Sequence, residues 1–409
     1  MTRNNLPAIL GGLPLSEQPL NIVRPQFPAF ETFADKLCTA LASGSVTNHG
    51  PYVRDFEHAL ARYMDMPSGS VCVCTNGESA LMLMLRAAGV DSGEVIVPSY
   101  TFSGTPHAVR WCGAQPVFAD IDPNGSMCLD PADAEKRITA RTTAILAVDA
   151  YGIACNYDAF EQLGKTYRLP ILYDSAPAFG TRVGGQPIGG FGDAQTFSFH
   201  ATKAFTTMEG GCVVSRNERI IERVAALRNF GQVGGADCEE PGINAKMTEV
   251  SALIGIEQLK DFDAVVERRT YMANRFRQGL SEIPGLSFAM PPPTQAPVWL
   301  YFPIVVDAKR FGVNRDMLAQ ALAAENLHVR KYFELPCHHL TAYADHRQVQ
   351  LPITEAVSYN VICLPVYNDM TEPECDLFIN GILRIHEHAD HVAAKISGAA
   401  AKPSATRPV

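Results

Sequence analysis

The feature that most constrains this chain is a series of short, apolar, β-branched segments, each ending in a polar tip. They fall at residues 71–74, 94–98, 116–119, 143–148 and 170–174, and helical stretches separate them. Strands that are apolar throughout are buried on both faces, and intervening helices supply the crossovers that parallel pairing needs. The expectation is an α/β fold whose large domain is a mostly parallel sheet covered by helices. Ligands of such sheets gather at the carboxyl ends of the strands. Phe102, Asp174 and the turn from Asn76 to Ala80 all fall at such ends.

A different pattern follows. Phe197 and Phe199 alternate with Thr196, Ser198 and His200, the period of a strand, and a second short apolar strand begins just past Gly210-Gly211. Lys203 therefore sits in a tight connection between two strands, with few charged neighbours. Burial lowers the pKa of an amine, and the neutral amine is the nucleophile that forms Schiff bases; a surface lysine in a β-turn is the plainer reading. Asp174 closes an apolar strand, where a carboxylate is costly without a cation or hydrogen-bond donors to meet it. It serves either as a structural cap or ion pair, or as the partner of a pyridinium nitrogen. At Asn76–Ala80 a strand breaks into a helix, whose first N–H groups form a ready anion site. The stretch lacks the lysine of a nucleotide P-loop and the three glycines of a dinucleotide fingerprint, so an ordinary strand–helix junction stays open beside phosphate binding.

The 409 residues divide into an N-terminal arm (1–30), a large domain (31–283), a smaller C-terminal α+β domain (284–392) and a disordered Ala/Ser/Pro-rich tail (393–409). A Pro-rich stretch at 290–297 reads as a rigid linker or turn, and residues 328–332 as a strand. A net charge of -9 argues against nucleic acid or an anionic membrane as the main partner. No apolar run reaches the roughly 18 residues of a membrane span. Eleven cysteines, several inside apolar runs, suit a reducing cytoplasm better than a disulfide framework. Cys72 and Cys74 should share one face of a strand. Cys337-His338-His339 has the composition of a metal site, but adjacent side chains cannot all converge on one ion without further ligands. No metal is expected.

Taken together, a Schiff-base lysine, an acid for a ring nitrogen, an aromatic at a strand tip and a helix N-terminus for a phosphate describe one cofactor, pyridoxal 5′-phosphate. The chain resembles the sugar aminotransferases of the DegT/StrS type, fold-type-I enzymes of that cofactor. The resemblance rests on Phe197 to Lys203, Glu209-Gly210-Gly211, Asp174 to Gly180, Arg228 to Gly231 and Gly242 to Glu249, and it spans about residues 8 to 390.

The resemblance implies that residues 31–283 bind the cofactor. It implies that Lys203 holds the cofactor aldehyde and shuttles the proton, and that Asp174 pairs with the ring nitrogen. Phe102 would stack on the ring, while Gly77, Glu78, Ser79 and Ser198 would hold the phosphate. Asn244 would reach the phosphate of a neighbouring subunit in a homodimer. Two positions depart from the family. Pro177 stands where Gln or His is usual and offers no side-chain donor. Glu78 stands where Thr is usual, so Ser79 and the backbone deserve more weight there than the Glu78 side chain. The implied reaction moves an amino group from L-glutamate to a nucleotide-linked keto-deoxy sugar, 4-keto before 3-keto or a cyclitol ketone. His200 and the Arg330-Lys331-Tyr332 cluster are candidates for the sugar diphosphate. A non-catalytic scaffold of the same fold would not need Lys203 and Asp174, and a cofactor-free aldolase would not need Asp174 or the phosphate turn.

Overall fold

The computed structural model describes residues 5–234 and 237–400. The strands in chain order are β1 (Val71–Cys74), β2 (Glu94–Pro98), β3 (Gln115–Ala119), β4 (Thr142–Val148), β5 (Ile171–Asp174), β6 (Arg182–Val183), β7 (Gln186–Pro187), β8 (Ala194–Ser198), β9 (Gly211–Val214), β10 (Leu286–Phe288), β11 (Gln295–Ala296), β12 (Tyr301–Val306) and β13 (Val361–Pro365). Seven of them make one sheet in the order β1-β9-β8-β5-β4-β2-β3. β9 pairs antiparallel with β1 and β8, and the remaining pairs are parallel.

Alternate residues of these strands enter two separate apolar layers. Val73, Ile96, Ile145, Tyr173 and Phe197 belong to one, and Cys72, Cys74, Val97, Leu146 and Leu172 to the other. Both faces of the sheet are therefore dry, as the unbroken apolar strands require. Cys72 and Cys74 share a face as expected, and all eleven cysteines are unpaired.

A second sheet, β10-β12-β13, is antiparallel. The Pro-rich stretch read as a rigid linker or turn carries β11, which pairs with β6. The arm, from residue 5 onward, is held by Glu325, whose carboxylate accepts the N–H groups of Ala8 at 2.8 Å and Leu15 at 3.0 Å.

Two local expectations fail. Residues 328–332 make one bridge, Arg330 to Cys363, in place of a strand. The Tyr332 carbonyl is instead taken by the hydroxyls of Tyr100 and Tyr151, which draws the segment toward the large sheet. The segment read as a disordered tail begins inside a helix, Ala389–Ala400. Val392 is buried there, and Ala393 and Ile396 pack on the core, so the alanine-rich composition conceals an apolar face. Residues 401–409 of that segment, like residues 1–4 of the arm, lie outside the described residues.

The free edge of β1 is closed by a buried ion pair. Arg228 donates to the Val73 carbonyl at 2.5 Å and to Glu57 Oε1 at 2.8 Å, and Glu57 Oε1 accepts the Val73 N–H at 3.0 Å. Removing one partner of such a pair leaves an uncompensated charge. Glu57→Ala is expected to destabilise the protein by about 3–5 kcal/mol in urea unfolding. Glu161→Ala, which breaks an exposed pair with Lys165, should cost less than about 1 kcal/mol. Equal losses would contradict this account of the edge.

Candidate active site

Asp174 is the last residue of β5 and is 7% exposed. Its Oδ2 accepts the Thr105 hydroxyl at 2.7 Å, and its Oδ1 accepts the Ala176 N–H at 3.1 Å. Thr105 is held in turn by Thr101, 2.8 Å between hydroxyl oxygens. Burial raises the Asp174 pKa above the ordinary carboxylate range, and the two hydrogen bonds and the charge of Lys203 only partly offset it. Lys203 shows the mirror image. Burial lowers its pKa, and the charge of Asp174 partly offsets that. For each group burial outweighs the opposite charge of the other, so each is short of a full partner.

The turn bearing Lys203 is tightly built. The Lys203 N–H donates to the His200 carbonyl, and the Thr206 hydroxyl and the Thr207 N–H both donate to the Phe199 carbonyl. Phe199 and Phe205 are buried beneath it against Phe56, Phe179 and Phe262. Apolar packing under a polar turn fixes where the amine emerges.

The helix Gly77–Ala87 begins where β1 ends, and β9 brings Ser198 to the same place. Gly211 of β9 pairs with Cys74 on one side and with Ser198 on the other. The approach leaves no room for side chains. A Cβ on Gly77 would lie 2.7 Å from Ser198 Cβ, and one on Gly211 would lie 2.7 Å from the Gly77 nitrogen. Asn76 caps the helix by accepting the Ser79 N–H at 2.8 Å, and the Ser79 hydroxyl donates to the Asn76 carbonyl at 3.0 Å. Both Ser79 donors are thus engaged, contrary to the weight the sequence gives that residue. The N–H groups of Gly77 and Glu78, which precede the first intrahelical bond, and the Ser198 hydroxyl are the donors left facing the cradle.

Beside the cradle, Glu78 Oε2 would lie 2.4 Å from a Cβ on Gly104, and Phe102 Cδ1 would lie 3.2 Å from it. A side chain at 104 would have to displace the Glu78 carboxylate. Burial, and then the charge of Asp174, push the Glu78 carboxyl up to about 7. Phe102 is 62% exposed, with a ring face available at the mouth of the site.

The remaining candidates are more dispersed. His200, 46% exposed, points Nδ1 at the Thr202 hydroxyl at 2.8 Å and Nε2 toward Glu209 at 3.4 Å. Lys331 is bound by Asp316 at 2.8 Å and Glu334 at 3.0 Å, and the Tyr332 hydroxyl accepts from Arg330 at 2.9 Å. Both carboxylates on Lys331 are exposed. Asn244 is exposed and bridges to Asn229 through its backbone. Thr105 goes unnoticed in the sequence reading, and Asn76 figures there only as the first residue of the turn, not as the helix cap. Asn76 had a signal, an Asn at a strand–helix junction being a preferred N-cap; Thr105 had none.

Residues 30–382 match the DegT/DnrJ/EryC1/StrS aminotransferase family. The chain belongs to that family. DegT/DnrJ/EryC1/StrS enzymes are pyridoxal-phosphate-dependent aminotransferases, and this chain is one of them. It is 32% identical over 370 residues to dTDP-4-amino-4,6-dideoxy-D-glucose transaminase of Shigella dysenteriae, covering 90% of this chain and 100% of that one. It is 32% identical to GDP-perosamine synthase of Vibrio cholerae, covering 83% of this chain and 92% of the other. Among solved structures, DesI in the presence of its TDP-sugar product superposes with a TM-score of 0.89 at 34% identity, over 97% of this chain and 100% of that one. Spr1654 of Streptococcus pneumoniae in its PLP form superposes with a TM-score of 0.83 at 27% identity, over 91% and 99%. No helix among the described residues is long and apolar enough to cross a membrane.

The opposed pair makes a titration prediction. In cofactor-stripped protein, Asp174→Asn removes the charge that raises Lys203, so Lys203 should titrate at a still lower pH. Carbon-13 NMR of the reductively methylated lysine measures this, and an unchanged or higher pKa would contradict the geometry.

Proposed function

We propose that this aminotransferase moves an amino group from L-glutamate to the ketone of a nucleotide-linked keto-deoxy sugar, the 4-keto kind in preference to the 3-keto. The observation that carries the reading is the pairing of half-buried Lys203 with buried Asp174, set beside a glycine-walled cradle of free N–H groups. These residues fit pyridoxal phosphate. The carboxylate at 174 lacks a full cation partner, the amine at 203 is held toward its neutral form, and the approach of Gly77 and Gly211 to their neighbours leaves backbone donors uncovered. When bound, the cofactor supplies an electron sink for the carbon that bears the amino group.

The residues of this chain do the rest. Asp174, fixed by Thr105 and the Ala176 N–H, would keep the ring nitrogen protonated. Phe102 would cover one ring face. The Gly77 and Glu78 N–H groups and the Ser198 hydroxyl would take the phosphate, at a helix N-terminus whose dipole favours an anion. Lys203, neutral once relieved of its bond to the aldehyde, would take the proton from the amino-bearing carbon and deliver it to the carbon on the far side of the nitrogen. Pro177 gives no donor to the phenolic oxygen. His200, exposed beside the Lys203 turn, is the substrate contact retained from the sequence.

Asn244 would act across a homodimer. In support, it is exposed on its own chain, and its neighbours Phe230 and Ile243 expose large apolar side chains (48% and 40%) that a second copy would cover. The 4-keto preference is supported by two similar proteins, one named as a 4-amino-4,6-dideoxyglucose transaminase and one as a perosamine synthase. The unpaired thiols suit a reducing cytoplasm.

The test is a two-step assay. L-Glutamate should convert the visible absorbance of the bound aldehyde to that of the amine form, and adding a dTDP- or GDP-linked 4-keto-6-deoxy sugar should restore it with an aminated sugar detectable by mass. Lys203→Ala should lower turnover by at least about 10²-fold, the smaller end of what a positioned acid–base group supplies. Amination of 3-keto sugars alone, or no response to glutamate, would refute the proposal.

A further inference from the structure

Away from the active-site pair, three ligand-type side chains converge where the turn Cys337–His339 meets the helix Pro352–Asn360. His338, His339 and Glu355 each present one nitrogen or oxygen within 4.8 Å of the other two. His338 is 0% exposed, and its Nε2 has no hydrogen-bond partner among the described residues. Glu355 Oε1 lies 3.4 Å from that nitrogen but outside hydrogen-bonding geometry. A buried polar atom without a partner is costly, and this one is aimed into the cluster.

The surroundings orient the ligands. His338 Nδ1 is 2.6 Å from Ser99 Oγ, which also accepts the His338 backbone N–H at 3.0 Å. With Nδ1 as the donor to Ser99, Nε2 turns a lone pair toward His339 and Glu355, the outer-shell arrangement that orients metal-bound histidines. His339 is positioned by the Tyr359 hydroxyl, 2.8 Å from its Nδ1. Glu355 Oε1, the oxygen that lies 3.4 Å from His338 Nε2, also accepts the Leu351 N–H at 3.1 Å, which fixes the carboxylate beside the two histidines. Cys337 takes no part, because its thiol donates to the Thr101 carbonyl at 3.3 Å. The further ligand that the sequence motif lacked comes from a helix that begins well along the chain.

We propose that His338, His339 and Glu355 form a site for a divalent transition metal, Zn²⁺ or an ion of similar softness, with the fourth position open to water. Two imidazoles and a carboxylate are a donor set that such ions accept. The metal would be structural. Ser99 directly follows β2 and lies three residues before Phe102, so an ion on His338 would pin the 337–339 turn to the strand end that carries the aromatic residue. The competing arrangement places a proton on Nε2, directed at Glu355, and binds no metal.

The experiment uses untagged, full-length holoenzyme, freed of metal by a chelator and dialysed. Calorimetric titration with Zn²⁺ should show one ion per chain, and Co²⁺ should give the visible bands of tetrahedral nitrogen and oxygen coordination. His339→Ala and Glu355→Gln should each weaken Zn²⁺ binding at least about tenfold. His339 and Glu355 are only partly buried, so these variants should melt near the wild type in metal-free buffer while losing the rise in melting temperature that Zn²⁺ gives it. His339→Asn serves as a second variant should His339→Ala misfold. Failure of the wild type to take up Zn²⁺ stoichiometrically would overturn the proposal. So would uptake that His339→Ala leaves unchanged, which would place the ion elsewhere, for example on the exposed Cys38 or Cys238.

Discussion

A carboxylate buried at the end of a central strand without a full counter-charge is the constraint on which the rest of this structure depends. Asp174 is buried because β5 lies between β4 and β8, deep in a sheet covered on both faces. It is held in place by Thr105 and the Ala176 N–H, yet burial still raises its pKa. Lys203 is the one opposite charge acting on it, and burial pushes that amine the other way. Left alone, the pair is an electrostatic deficit. A cationic ring nitrogen and an aldehyde would remove it from both sides, because one satisfies the acid and the other bonds the amine.

The reversed strand β9 sets the geometry around that pair. Because it runs antiparallel between β1 and β8, its first residue, Gly211, stands beside the carboxyl ends of both neighbours. The Asn76 turn, Ser198 and the Lys203 turn are thereby drawn to one edge of the sheet. The glycines are a requirement of that approach, since a Cβ at Gly77 or Gly211 would meet neighbouring atoms at 2.7 Å. An exposed helix N-terminus beside a half-buried amine is thus a product of strand register, not of any single motif.

Much of this was legible in the chain because it is written in periods. Apolar strands with polar tips foretold the sheet, and the Phe197/Phe199 alternation placed Lys203 in a connection between strands. What stayed hidden depends on single contacts. Thr105 is an ordinary residue until a hydrogen bond ties it to a carboxylate far along the chain. Ser79 looked like a free donor, and only the structure shows both its donors bound to Asn76. Lys331, a candidate for the sugar diphosphate, meets two carboxylates of its own chain that its spacing did not announce. The supposed strand at 328–332 yielded to two tyrosine hydroxyls, and the supposed tail at 393–400 to an apolar helix face too sparse to outweigh its alanines. Residue type and spacing report periodic packing well, and report poorly which partner a polar group will find.

The most direct measurement is to reduce the pyridoxal-phosphate-loaded protein with borohydride and map the product by peptide mass spectrometry. The account predicts a phosphopyridoxyl group on the ε-nitrogen of Lys203 and none in Lys203→Arg. An adduct on another lysine, such as Lys246, or no adduct at all, would contradict it.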